Sequence, residues 1–555
     1  MAASSIDVRP TPAAIARATA AAIRSEVSTR PLLGILGVVI GAGLVTLTGR
    51  MLSLGLPDLK GHVGISLDDG AWFDSAYNAS LMFIGPFTVY LGGLLGPRRI
   101  LLCSAGIFAI TCTFLPFIHG YGLFITVLIV AGLTSGTFYP LTLTFALRNL
   151  PLRYLPFTIA LYAVFVDGAV NIAPSLYGWY RDHLSWQWMF WNSAAIAPLM
   201  MACIYFGIPP ARKKGDPVPA FAGFLYLSAG LALIFTALQQ GQRLDWFRSG
   251  VFNAWFWSGS FFLLCALLRR LRASNPLVAL PYLLQWNTLL LGCLLFWFRF
   301  TLCTTIILIP QSLAIRGFES DQIGPAIIWS AVPLLPIAFV ASLLLLRNID
   351  PRLLLAGGLA STAWAAWLSA QYTTAWAAQN FYRTELLTGV GQAFAFIGLV
   401  GCIVMQAMFT GALSKPEWVL TFSAFFHTVR IFGGTGGAIY MGHFVAQREK
   451  LHSNLLGLHV SSGNWITDQN IQAMTAGLQA KSYGMASAGA RAVDLIAGRM
   501  RLQAYGLSII DGFLLIAWSC ASALVFVALL RKSQLSYGDL SRAQQTLALE
   551  KESKS

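Results

Sequence analysis

Apolar stretches of about 20 residues or more recur along this chain from residue 32 to residue 531. A helix of that length crosses the ~30 Å hydrocarbon core of a bilayer. Inside that core every backbone N–H and C=O must be satisfied within a helix or a closed barrel. A barrel would show short alternating strands, whereas these runs are continuous. The pattern therefore specifies an all-α integral membrane protein with many spans. Charge agrees with it: 11% of the residues are Asp, Glu, Lys or Arg, against about 25% in a soluble domain.

Fourteen spans are predicted, at 32–53, 72–95, 98–118, 121–147, 156–180, 186–208, 219–241, 250–269, 285–312, 322–346, 351–371, 384–412, 417–446 and 507–530. With a cytoplasmic N-terminus, the inner loops hold Arg98, Arg99, Arg148, Arg153, Arg212, Lys213, Lys214, Arg269, Arg270, Arg272, Arg347, Arg352 and Lys415. The short outer loops hold Lys60, Arg181, Arg243, Arg248, Arg316 and Arg383. This positive-inside bias places both termini in the cytoplasm. It also accounts for the net charge of +15 without a nucleic-acid partner, since the chain has no basic soluble domain. Residues 1–31 form an Ala/Arg-rich arm without the apolar core of a signal peptide. A short interfacial helix with Arg17 and Arg24 on one side is expected there. The eight cysteines fall in apolar spans without CxxC spacing, as small core residues do. No cofactor or metal is expected.

The stretch AVFVDGAVNIAPSLYGWY places Asp167 within span 5. On a helix Asp167, Asn171, Pro174 and Gly178 share one face. A charge in hydrocarbon costs roughly 2.5–3.5 kcal/mol on insertion scales, so Asp167 needs a reason. Two readings stand: a proton carrier, or a structural acid paired with an arginine. Three arginines also lie inside spans: Arg50, Arg299 and Arg430. Arg50 either pairs with Asp74 or snorkels to the interface. Arg299, in LLFWFRFTL beside Trp297, either builds a cationic aromatic wall or makes a structural contact with Asp167 or a carbonyl. Arg430 shares a face with Ser423, His427, Gly434 and Gly437. His427 either titrates near neutral pH or packs with a hydrogen bond. Glu385, at the end of span 12, reads as interfacial. Gly132 and Gly136 read as close-packing positions.

Residues 447–506 form a long polar segment with Ala-rich helical stretches. Its readings are a docking surface or a cap without a partner. Its acids Glu449, Asp468 and Asp494 have no metal or triad spacing, and no phosphate-binding loop appears in the chain. An enzyme is not expected.

Four stretches carry a resemblance: GLPDLKGHVGISLDDGAWFDSAY (55–77), APSLYG (173–178), GFESDQIG (317–324), and HTVRIFGGTGG (427–437) followed by QREKLH (447–452). In this order, over roughly residues 30–531, they resemble the fourteen-span drug:proton antiporter branch of the major facilitator superfamily, of the EmrB type. The resemblance implies two six-helix bundles, 32–208 and 285–531, with spans 7 and 8 inserted within 209–284 and a cytoplasmic tail at 532–555. It implies alternating access by rocking of the bundles, with export of amphipathic drugs or organic acids driven by proton entry. It further implies a bacterial inner-membrane location, with a periplasmic adaptor and an outer-membrane channel as partners. On this reading Asp167, Asp74 and His427 are the proton-coupling candidates. Arg50, Arg299, Trp297 and Asn171 are the substrate-cavity candidates. Pro174, Gly178, Arg430, Gly434 and Gly437 serve packing and movement. The sequence departs from the family at three places. Thr48 stands where span 1 usually has Asp, and Leu128 where span 4 has Arg. GGLLGPRR (92–99) is shortened and lacks the usual Asp. An uncoupled facilitator, or an uptake transporter of an anionic metabolite, is the alternative.

Overall fold

The computed structural model describes residues 30–140, 154–210, 221–272, 280–410, 416–460, 463–481 and 484–532, with 537, 542 and 546. The arm with Arg17 and Arg24, most of the tail 532–555, and Arg148, Arg153, Arg212, Lys213, Lys214 and Lys415 lie outside these residues, as does the side chain of Ser423.

The chain folds as a bundle of helices: α1 Pro31–Leu54, α2 Leu56–Val63, α3 Leu67–Leu95, α4 Pro97–Phe114, α5 Tyr121–Ser135, α6 Leu155–His183, α7 Trp188–Gly207, α8 Phe221–Gln240 and α9 Gly250–Arg272. It continues through α10 Trp286–Thr301, a π-turn Thr304–Leu308, α11 Ile309–Ala314, α12 Ser320–Ile327, α13 Leu334–Leu346, α14 Pro351–Ser369, α15 Tyr382–Phe409, α16 Pro416–Gly457, α17 Trp465–Gln479 and α18 Met485–Leu529. Eleven of the described helical stretches are long and apolar enough to cross a membrane. Three further helices, α3, α14 and α16, lie where spans 2, 11 and 13 are predicted.

Local chemistry sets the helix ends. Pro31, Pro97 and Pro351 open their helices, where a missing N–H costs nothing. Ser66 caps α3 by accepting from the Asp69 N–H at 3.1 Å. Gly317 adopts φ +86° at the turn into α12, a conformation that a Cβ disfavours. This explains the first glycine of GFESDQIG.

α1 packs against α6 and α7, α3 against α5, and α4 against α7; on the other side α14 packs against α15 and α18, and α10 against α16. The two sets meet along α6, which contacts α12, α13 and α15, and along α3 with α16. The hairpin α8–α9 leans on α3 and α16. The starts of α1, α6, α10 and α14 lie on the face that carries residues 529–531. There Arg352 Nη1 donates to the Leu530 carbonyl (2.7 Å), and Asn287 Nδ2 donates to the Arg531 carbonyl (3.4 Å). We call this the terminal face.

The seam between α6 and α12 lies toward the opposite face and is closed by two reciprocal glycines. A Cβ on Gly178 would stand 2.8 Å from the Asp321 Cα, and one on Gly324 would stand 2.6 Å from the Ser175 Cα. Arg181 pairs with Glu319 just beyond. Gly132 and Gly136 do press onto α3: their Cβ atoms would meet the Tyr77 carbonyl at 2.6 Å and Ile84 at 2.3 Å.

The segment 447–506 is mostly helix rather than loop. At 1.5 Å per residue α16 is about 63 Å long and α18 about 67 Å, each roughly twice the hydrocarbon thickness. Both therefore project past the opposite face. Asp511 ties them where they emerge, accepting from Arg448 Nε (2.5 Å) and His452 Nε2 (2.7 Å).

Candidate functional site

Asp167 lies on α6 at the junction of the two helix sets. It is fully buried, and neither carboxylate oxygen has a hydrogen-bond partner. The nearby charges are Arg299 of α10 and Arg430 of α16. Neither forms a salt bridge with Asp167, so the ion pair that one of the two readings requires is not made. The Arg299 Nε and Nη1 are themselves buried without partners, as is the Arg430 Nη1. Arg430 rests on the Tyr139 ring, its Cζ 3.3 Å from the centroid, a cation–π contact. The Tyr139 hydroxyl bonds to Thr46 of α1. Tyr162 feels all three charges. The cluster thus holds two cations, one carboxylate and two phenols.

A small cavity of about 50 Å³ adjoins it, lined by Tyr139, Tyr162, Phe396, Val400, His427 and Arg430 among others. One turn from Asp167 toward the opposite face, Asn171 Nδ2 donates to Gln392 Oε1 of α15 (2.9 Å) and bridges the two helix sets. The Asn171 Oδ1 and the Gln392 Nε2 remain unpartnered.

Of the remaining candidates, His427 borders this cluster across the cavity, whereas Arg50, Asp74 and Trp297 separate from it. His427 is buried, and its ring nitrogens make no hydrogen bond of normal geometry. It packs against Gly85 of α3, whose Cβ would stand 2.3 Å from the ring. Arg50 and Asp74 lie nearer the opposite face and feel each other's charge, but form no ion pair. Pro310 has no N–H to give the carbonyl four residues back, and Arg50 Nη2 takes that Ile306 carbonyl at 3.1 Å. Asp74 accepts instead from Asn78 (3.0 Å) and from Gln239 of α8 (2.5 Å).

Trp297 corrects the expected aromatic wall. It packs on Phe526 of α18 (centroids 4.6 Å apart) and, with Phe296 and Phe300, lines a lateral groove of about 650 Å³ between α10, α16 and α18. Phe298 turns inward, stacked on Phe396 at 5.1 Å. Residues 297 and 300 point about 160° and 100° away from 299 on a 3.6-residue turn, whereas Phe296 and Arg299 both face Gly433. Gly434 and Gly437 admit Arg299 and Phe300 respectively: a Cβ would meet the Arg299 Nη2 at 3.1 Å and Phe300 at 3.0 Å. Glu385 is also corrected. It is fully buried between α15 and the turn Ile328–Ser330, with both oxygens unpartnered, and is not interfacial.

The comparison that decides the family spans most of the chain: residues 38–443 match the Major Facilitator Superfamily. The chain belongs to this superfamily. It is a multi-pass membrane transporter of the secondary class and not an enzyme. Among curated relatives, the probable multidrug resistance protein EmrY of Escherichia coli (strain K12) is 23% identical over 467 residues, 81% of this chain and 87% of that protein. The multidrug export protein EmrB of Haemophilus influenzae is 22% identical over 441 residues, 78% and 84% of the two chains. The fatty acid resistance protein FarB of Neisseria gonorrhoeae is 22% identical over 417 residues, 74% and 80%. The fold matches the solved proton:xylose symporter XylE with a TM-score of 0.54 at 10% identity, covering 92% of this chain and 99% of that one.

Within the superfamily fold, the two departures in spans 1 and 4 are packing residues here. The Thr48 hydroxyl meets Ser193 of α7 at 2.7 Å and donates to the Leu44 carbonyl. Leu128 sits in the core of the first helix set. Sequence reasoning missed Tyr139, Tyr162 and Gln392. For Gln392 the signal was a lone amide in an apolar span; for the tyrosines there was none, since aromatics fill these helices.

Proposed function

We propose that this transporter exports amphipathic organic anions, with Asp167 carrying the coupling proton and Arg299 receiving the anionic group. The observation that carries the reading is the imbalance of the buried cluster: two arginines face one aspartate, and Arg299 Nε, Arg299 Nη1 and Arg430 Nη1 are left without acceptors. An unmet buried donor costs about 1–3 kcal/mol and more when charged, so a carboxylate or sulfonate fits what the site lacks. A permanently cationic ligand would meet like charge instead, at a cost of several kcal/mol. The names of the relatives, multidrug export and fatty acid resistance, suit an amphipathic cargo. Asp167 has no permanent ionic partner, as a group that loads and releases a proton requires.

Helix sets 32–208 and 285–531 are the rocking bundles, with α8–α9 a lateral addition. The terminal face is cytoplasmic by its Lys/Arg excess, and the membrane is a bacterial inner membrane. Pro174 bends α6 and Gly178 closes its seam with α12. The projecting helices of 447–506 expose Leu455, Leu458, Trp465 and Ile466 and dock a periplasmic adaptor that leads to an outer-membrane channel. Removing 465–479 should spare binding in detergent and abolish export from cells; unchanged cellular export would remove the adaptor from the account.

The direct test of the substrate class is a matched pair with one ring and opposite charges, naphthalene-2-sulfonate and naphthyl-trimethylammonium. The sulfonate should bind the purified protein more tightly, and Arg299→Gln should weaken it by about tenfold or more without affecting the cation. Tighter binding of the cation to the native protein would overturn the reading. Equal loss of both ligands would reduce Arg299 to a structural role. Thr48 and Leu128 favour a second reading, facilitated movement without protons.

A further inference from the structure

Glu385 has no place in the mechanism so far. It lies one turn inside α15, fully buried, and neither oxygen makes a hydrogen bond of normal geometry. The hydroxyls of Ser330 and Thr388 lie beside it. Both already donate to backbone carbonyls, Ser330 to Ile327 (2.7 Å) and Thr388 to Thr384 (2.9 Å). What they leave for Glu385 is lone pairs, which suit a carboxyl that bears its proton. Among the described residues the neighbouring elements supply no balancing cation: α13 brings no titratable group, and Arg352 of α14 is committed to Asp350. The turn Ile328–Ser330 brings Ser330, and the turn Ala378–Phe381 brings no titratable group. α12 brings Asp321, and α6 brings Asp167 on one side and Arg181, committed to Glu319, on the other. Arg383 of α15 itself is exposed, and Arg299 of α10 lies with Asp167.

Glu385 is also aligned with the known cluster. Seven residues separate it from Gln392, two helical turns, so both share a face of α15. Gln392 bonds Asn171, and Asn171 lies one turn from Asp167. The rise is about 10 Å from Glu385 to Gln392 and about 6 Å from Asn171 to Asp167. Between the carboxyls, the free Asn171 Oδ1 and the free Gln392 Nε2 offer the acceptor and donor that one bridging water needs.

We propose that Glu385 is a second proton site, through which Asp167 is loaded from the opposite face. This rests on the reading of Asp167 as the coupling carboxylate. The step balances simply. The two carboxyls stand about 16 Å apart along the helix axes, so a chain of waters carries the proton when the seam is open. Glu385 gives its proton to the first water, each water passes one on past the amide bridge, the last gives one to the Asp167 carboxylate, and the Glu385 anion recovers a proton from the opposite-face solution. Glu385 is reached from that side only when the α6–α12 seam and the contact of Gly389 with the Ser330 carbonyl part, since a Cβ on Gly389 would stand 2.1 Å from that oxygen. Proton pick-up is thereby confined to the open state.

The test uses Glu385→Gln and Glu385→Asp in oriented proteoliposomes, with naphthalene-2-sulfonate as the transported probe and infrared spectra of the protein titrated with pH. For Glu385→Gln, exchange of the probe at equal pH should stay within about twofold, while transport driven by a pH difference falls by about tenfold or more. One titrating carboxyl band should vanish, distinct from the band lost in Asp167→Asn, and Glu385→Asp should recover driven transport. Driven transport at the native rate, or an unchanged carboxyl band, would overturn the proposal. So would loss of exchange together with driven transport in both variants, which marks a residue that only holds the fold. If instead Asp167→Asn pumps normally, the underlying reading fails on its own. If the native protein does not carry the sulfonate, the substrate class fails, and the infrared band still decides whether Glu385 titrates.

Discussion

Asp167→Asn should reduce proton-driven export by about a hundredfold or more, while substrate exchange at equal pH on both sides persists. Asparagine keeps the shape of the side chain and cannot carry the proton. Folding should survive, because Asp167 makes no hydrogen bond and no salt bridge whose loss would strand a partner. Anion binding should hold or tighten, since Arg299 and Arg430 then face no competing carboxylate. The readout is accumulation of the naphthalene sulfonate against its gradient, beside its exchange rate. Export at the native rate would move the coupling site elsewhere, with Asp74 and His427 the remaining candidates.

Gly178→Leu should stop transport by wedging open the α6–α12 seam. The Cβ alone would stand 2.8 Å from the Asp321 Cα and 3.0 Å from its N, and backbone cannot yield as a flexible side chain can. Overpacking costs about 1–3 kcal/mol, and here it falls only on the state with the seam closed. Each 1.4 kcal/mol shifts a two-state population about tenfold. Transport should therefore fall by about tenfold or more, with amide hydrogen exchange rising across 172–180 and 320–327. Native transport with unchanged exchange would mean that the seam does not open in the cycle.

The fold was legible because hydrocarbon leaves few choices: continuous apolar runs became helices, and proline and glycine punctuation matched their ends. The shared face of Asp167, Asn171, Pro174 and Gly178 was also legible, being a matter of helical period. Partner choice was not. Arg50 and Asp74 sit at matching depth, yet Pro310 left the Ile306 carbonyl in need of a donor, and α8 supplied Gln239 to Asp74. Trp297 was assigned to the cavity by proximity to Arg299 in the chain, whereas positions two apart point to nearly opposite sides of a helix, about 160° apart. Glu385 looked interfacial because it opens its span; the turns that cover it come from residues more than fifty positions earlier as well as from its own approach. Long-range packing of this kind leaves no mark in a single sequence.

The claim at the centre of this account is that protons drive the transport, and one measurement addresses it directly. Native protein in oriented proteoliposomes is given a pH difference and no initial gradient of naphthalene-2-sulfonate. The account predicts that the sulfonate accumulates on the acidic side above its starting concentration and that a proton ionophore collapses the accumulation. Movement that only equalises the two sides, indifferent to the ionophore, would contradict coupling and leave an uncoupled facilitator.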